Sequence, residues 1–170
     1  MAVLPIRKYG DEVLRRPTEA IQQFDDALQT LIEDMVQTMY AAPGIGLAAN
    51  QIGINKRVAV IDLSVGKRPN ELQVLVNPQI IERIGEQNEE EGCLSVPDFT
   101  ETVSRPARVT VKFLDRNGVA REISGDGLMA RALCHEIDHL DGKLYVDHLR
   151  GFKRDRIVRK IQKLAKAGMW

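Results

Sequence analysis

Residues 134–139 read Cys-His-Glu-Ile-Asp-His, and within them His135, Glu136 and His139 have the spacing H-E-x-x-H. On a helix of about 3.6 residues per turn, side chains four apart lie roughly 40° from alignment, so both histidines can reach one metal ion from a single face. Glu136 projects from the adjoining flank. A divalent ion lowers the pKa of the water it binds, and a carboxylate alongside can accept the proton as that water attacks a carbonyl carbon. Chance produces this five-residue pattern in roughly one chain of this length in a few hundred, so coincidental histidines on an exposed helix are the weaker reading. The pattern points to a metal-dependent hydrolase.

Catalytic sites of this kind use three protein ligands and keep one position open, so a third ligand is required. Cys134 lies about 100° around the helix from His135 and cannot share its metal without breaking the helix; it reads as a small buried hydrophobe. Cys93, in Glu91-Gly92-Cys93-Leu94-Ser95 before Pro97, lies in a loop entering a strand and would complete a Cys-His-His set. His148, Asp141 and Asp147 are the alternatives.

Three separated segments resemble the signature motifs of the peptide deformylase family. Gly44-Ile45-Gly46-Leu47-Ala48-Ala49-Asn50-Gln51 is similar to its glycine-containing first motif, which ends in glutamine; Glu91-Gly92-Cys93-Leu94-Ser95 to its second; and His135-Glu136-Ile137-Asp138-His139-Leu140 to its third. Their order, spacing and the length of 170 residues fit as well. Cys134 stands where many members carry glutamine, but this is not a ligand position.

The resemblance implies removal of the N-formyl group from the initiating methionine of newly synthesised polypeptides, with release of formate. It assigns the metal to Cys93, His135 and His139. Glu136 becomes the general base and then the proton donor to the leaving amine. The Gln51 side-chain amide and the Leu94 backbone N–H become donors to the formyl oxygen as it turns into an oxyanion, a role in which one donor contributes about 3 kcal/mol. Gly44 and Gly46 leave backbone free for an extended peptide to pair alongside, with Gly92 on the substrate side of the second motif; a loop with unusual φ after Pro43 is the competing reading of Gly44. Leu128 and Ala132 share the helix face of His135 and, with Ile45, are expected to line an apolar pocket for the methionine side chain, core packing being the alternative. Glu91 is placed to pair with Arg105 and anchor the Cys93 loop. The family implies Fe²⁺ as the native ion, with Zn²⁺, Ni²⁺ or Co²⁺ as substitutes, in keeping with a mixed thiolate–imidazole donor set.

The elements that must position these residues follow from periodicity. A short helix is expected from about Asp11 to Arg15. An amphipathic one follows from about Asp25 to Tyr40, with Leu28, Leu31, Ile32, Met35, Val36 and Met39 on one stripe. Strands are expected at Arg57–Leu63, Gln73–Asn77, Ile80–Ile84, Arg108–Leu114 and Ala120–Ile123, the last two joined by the turn Asp115-Arg116-Asn117-Gly118. The motif helix should run from about Gly127 to Leu140, apolar nearly all round and therefore buried. The resulting class is α+β: antiparallel strands around a central metal-binding helix, with an N-terminal and a C-terminal helix, in one domain spanning residues 1–170.

Hydrophobic residues make up 44% and charged residues 28%, with formal net charge zero. No apolar run is long enough to span a bilayer and the opening residues lack a secretory hydrophobic region, so a cytoplasmic monomer with no membrane contact and no disulfide is expected. From Lys153 to Trp170 seven basic residues face one acidic residue, so this segment carries +6 and the preceding chain −6. A basic amphipathic helix over about 152–166 is expected there. It reads either as a solvated face or as a contact for phosphate-rich RNA, and the resemblance favours docking on the ribosome near the nascent chain. Two other functions compete: a zinc endopeptidase, for which Cys93 would be an unusual ligand, and a non-catalytic RNA-binding domain with a structural metal, which would need four ligands and no Glu136.

Overall fold

The computed structural model describes residues 2–170. After a 3-10 turn at Glu12–Arg15, opened by the Asp11 carboxylate accepting from the Val13 N–H, the first long helix α1 covers Asp26–Ala41. The Asp25 carboxylate caps it by accepting from the Leu28 N–H at 3.0 Å, and its stripe of Leu28, Ile32, Met35, Val36 and Met39 is buried. Strands β1 (Gly46–Ala48), β2 (Val58–Ile61), β3 (Gln73–Ile84), β6 (Arg108–Leu114) and β7 (Ala120–Asp126) form an antiparallel sheet in the order β1-β2-β3-β6-β7. Strands β4 (Gln87–Cys93) and β5 (Val96–Arg105) form a separate antiparallel hairpin. Helix α2 runs Gly127–Leu140 and α3 runs Phe152–Lys166.

Three departures from the periodicity reading have physical causes. The segments 73–77 and 80–84 are one strand, because β3 passes through Asn77, at φ 51°, and Pro78 with an irregular register rather than ending there. The segment before Cys93 is a strand, not a loop: Gln87–Glu91 pairs residue for residue with Arg105–Glu101, although its sequence is almost wholly polar. The early helix is a single 3-10 turn.

Helix α2 buries ten of its 14 residues, packing on β1, β2, β6 and β7 of the large sheet and on β5 of the hairpin. Helix α3 buries only Ile157 and Ile161, which join Leu144, Tyr145, Val146 and Leu149 in a smaller core beneath the hairpin. Among the described residues no helix is long and apolar enough to cross a membrane.

Candidate active site

Three donor atoms from two elements converge where α2 meets the end of β4. The Cys93 Sγ lies 3.2 Å from His139 Nε2, and that nitrogen lies 3.1 Å from His135 Nε2. The donor atoms of the three residues all fall within 4.8 Å of one another. One thiol and two imidazoles so arranged suit a tetrahedral ion with one place left open. His148, Asp141 and Asp147 lie elsewhere: His148 bonds Asp138, Asp141 pairs with Arg57, and Asp147 with Arg15. Cys134 is buried away from the group, and burial pushes its thiol up to about 11.

The imidazole orientations are set from behind. His135 Nδ1 bonds the Glu91 carboxylate, which leaves Nε2 facing Cys93 and His139. Glu91 is itself held by the Arg105 Nη2 at 2.6 Å and Nε at 3.1 Å, and by the Arg131 Nη1 at 2.7 Å. Arg105 continues to Asp138 at 2.5 Å. Burial opposes charge on Glu91, but the hydrogen bonds and charges of His135 and Arg105 outweigh it and hold the carboxyl far below its usual range. The pairing with Arg105 matches the sequence expectation; Arg131 was missed. The available signal was a charged residue four positions before His135 in the otherwise apolar first half of the helix.

Two buried imidazoles in contact disfavour both being cationic at once. Burial resists charge on each; at His135 the nearby Glu136 and Cys93 reverse this and raise its pKa, whereas at His139 burial and the neighbouring His135 both lower it. Glu136 is buried too, and the loss of solvent pushes its carboxyl up to about 7, near where a general base works best. Its Oε1 has no hydrogen-bond partner among the described residues.

Gln51 is buried in the 3-10 turn Ala49–Ile52, its Oε1 accepting from the Ala48 N–H at 2.9 Å. Its Nε2 donates to Ser95 Oγ at 3.1 Å and lies 3.7 Å from the Cys93 sulfur, which also accepts from the Ser95 N–H at 3.4 Å. The amide therefore stands beside the three donor atoms with one well-formed and one long hydrogen bond.

Of these residues Gln51, Glu91, Cys93, Arg131, His135 and Glu136 line a cavity of about 880 Å³, with His139 behind them. Its wall includes Gln51, Cys93, Leu94, His135 and Glu136, and also Gly44, Ile45, Gly46, Gly92, Leu128 and Ala132. Ala132 is buried while Leu128 is 52% exposed, so Leu128 serves the cavity rim rather than the core. Neither Gly44 nor Gly46 has a left-handed backbone, which removes the unusual-φ reading. Close approach explains them instead: a Cβ on Gly46 would stand 2.5 Å from Glu136 Oε2, and one on Gly44 2.8 Å from the Leu94 Cδ1. Strand β1 is an edge strand, paired on one side only with β2.

The family model for polypeptide deformylase matches residues 3–155. A peptide deformylase of Acidobacterium capsulatum is 50% identical over 170 residues, covering the whole of both chains. The crystal structure of a peptide deformylase from Legionella pneumophila superposes with TM-score 0.92 at 49% identity, covering 98% of each chain. One from Synechococcus elongatus, in complex with actinonin, superposes with TM-score 0.88 at 41% identity, covering 98% of this chain and 89% of that one.

Proposed function

The chain belongs to the polypeptide deformylase family, metallohydrolases that remove the formyl group from newly made polypeptides, and from that premise we propose how its own residues divide the work. Cys93, His135 and His139 hold the ion, Fe²⁺ in the native protein with Zn²⁺, Ni²⁺ or Co²⁺ as substitutes. When bound, the ion supplies Lewis acidity and a lowered pKa for water. The formylated methionine enters with its side chain between Ile45, Leu128 and Ala132, and its backbone lies along Gly44 and the free edge of β1 at Gly46, with Gly92 on the facing wall. Glu136 takes a proton from the attacking water as its oxygen bonds the formyl carbon. The carbonyl oxygen becomes an oxyanion, which accepts from Gln51 Nε2 and the Leu94 N–H; the long contact from Gln51 to sulfur is the one that turns toward it. Glu136 then passes its proton to the leaving nitrogen, the C–N bond breaks, and formate and a free amine depart.

The observation that carries this division is the grouping of Cys93, His135 and His139 against a cavity lined also by Glu136 and Gln51. Formate release from formyl-Met-Ala-Ser by Fe²⁺-loaded protein tests it, beside Glu136→Ala. Loss of a proton-transfer group lowers turnover by about 10²–10⁴-fold. A variant as fast as wild type would remove Glu136 from the chemistry.

We place the protein in the cytoplasm as a monomer of one domain, and assign the outer face of α3 to the ribosome. Arg154, Arg159, Lys160, Lys163 and Lys166 are exposed on it, whereas Lys153 and Arg156 pair with Glu101. Reversing the charge of Arg159, Lys160, Lys163 and Lys166 should abolish low-salt co-sedimentation with ribosomes, and unchanged co-sedimentation would refute the assignment.

A further inference from the structure

Trp170, the single tryptophan of the chain, lies 161 positions from Tyr9 in sequence, yet its Nε1–H donates to the Tyr9 carbonyl at 2.9 Å. Its ring meets that of Phe99 with centroids 6.2 Å apart and planes tilted by 57°, and the Lys8 ammonium sits 5.8 Å from its centroid. Both anchors lead to the site. The Tyr9 N–H donates to the Ser95 carbonyl at 2.8 Å, and Ser95 bonds both the Cys93 sulfur and Gln51. Phe99 lines the cavity, and its carbonyl accepts from the Tyr145 hydroxyl at 3.2 Å. Tyr9, Cys93, Phe99 and Trp170 all pack on the small core that seats α3.

The methionine side chain, on the reading given above, is taken by Ile45, Leu128 and Ala132. Phe99, with Pro97 and Asp98, belongs instead to the β5 side of the cavity, which leaves that wall for the residues following methionine. We propose that Trp170 is a positioning residue: it braces Phe99 and the Tyr9–Ser95 contact, and so fixes the wall that receives the second and third residues of the substrate. This rests on the deformylase reading for the substrate's orientation. The role is held by two separable contacts, an aromatic face and an N–H donor. The first survives in Trp170→Phe and neither survives in Trp170→Ala.

The reporter is built in, because the only tryptophan stands against the cavity wall. Titration of the metal-loaded protein with the product peptide Met-Ala-Ser should change Trp170 emission, whereas formate and free methionine should not. In Trp170→Ala the KM for formyl-Met-Ala-Ser should rise about three- to tenfold, the loss of one tilted aromatic pair, with kcat within about twofold of wild type. The KM for formyl-Met alone should stay unchanged, and Trp170→Phe should recover most of the difference. Equal effects on the long and short substrates, or an unchanged KM with unmoved emission, would overturn the proposal. A change of emission with Met-Ala-Ser in a protein that releases no formate would support the wall and refute the deformylase division of labour, so the two fail separately.

Discussion

Gly46→Ala puts the placement of Glu136 to a direct test. Gly46 lies in β1 with an ordinary strand backbone, so the substitution adds no conformational strain of its own. Its new methyl would lie 2.5 Å from Glu136 Oε2, 2.9 Å from Cδ and 3.1 Å from Cγ. Regaining the 3.4 Å of ordinary contact requires the carboxylate oxygen to move by about 0.9 Å. Glu136 is only 4% exposed, so the space it can yield into is the cavity it lines, and such a shift carries the carboxylate off its present position. Overpacking of this kind costs about 1–3 kcal/mol, and each kcal/mol lowers Tm by about 2–4 °C in a chain of this size. The larger effect falls on catalysis, since a reacting group misplaced by about 1 Å loses roughly 10²-fold in rate. Formate release from formyl-Met-Ala-Ser should therefore show kcat down about 100-fold in a protein that still melts cooperatively. Gly44→Ala is the comparison. Its methyl meets Leu94, at 2.8 Å from the Cδ1 end of that flexible side chain and at ordinary contact distance from Cγ and Cδ2, and its cost should be smaller and fall on KM. A Gly46→Ala enzyme with kcat within about threefold of wild type would refute the argument that Glu136 must occupy its present position.

Glu91→Gln should weaken metal affinity by about 10–100-fold, measured by competition with a chelator, because it removes the carboxylate that orients His135; unchanged affinity would refute that role. Gln51→Ala should lower kcat by about 10²–10³-fold with folding intact, and undiminished turnover would sink the oxyanion assignment. Asp62 carries a pH prediction away from the site. Burial pushes its carboxyl up, but hydrogen bonds from the Tyr40 hydroxyl at 2.5 Å, the Ser64 hydroxyl at 2.7 Å and the Ser64 and Gly66 N–H groups outweigh it and hold the pKa below the ordinary 3.8. A depressed carboxyl pKa stabilises the fold above the ordinary value, and that stability is lost as pH falls through the folded one. The Tm gap between wild type and Asp62→Asn should thus be wide at about pH 6 and close below 3.8, and a gap that stays constant down to about pH 3 would contradict it.

What the sequence disclosed depended on whether burial was written in apolar residues. Helix α2 was legible to its ends because its histidines, glutamate and apolar residues all have one period, and Gly142 marks its stop. The isoleucine spacing of α3 was legible for the same reason. The β4 strand was not, because Gln87-Asn88-Glu89-Glu90-Glu91 contains no apolar alternation to read. Its one buried side chain, Glu91, goes inside on three ionic partners rather than by hydrophobicity. Gly44 and Gly46 were legible as backbone that must stay bare, but the sequence did not say whether turn conformation or a neighbour required it. The neighbour is Glu136, 90 positions away in Gly46's case, and only the fold reveals such a contact.

The unequal seating of the two late helices predicts how the molecule breathes. Amide protons of α2, with ten of 14 residues buried between two sheets, should exchange with solvent only when the whole fold opens. Those of α3, tied by Ile157, Ile161 and the contacts of Trp170, should exchange through a smaller, local opening. In such an opening the pair His135 and His139 should stay in place while the Phe99 wall loses its brace, so on the reading proposed above excursions of α3 would loosen the grip on the substrate's later residues and leave the two histidines undisturbed.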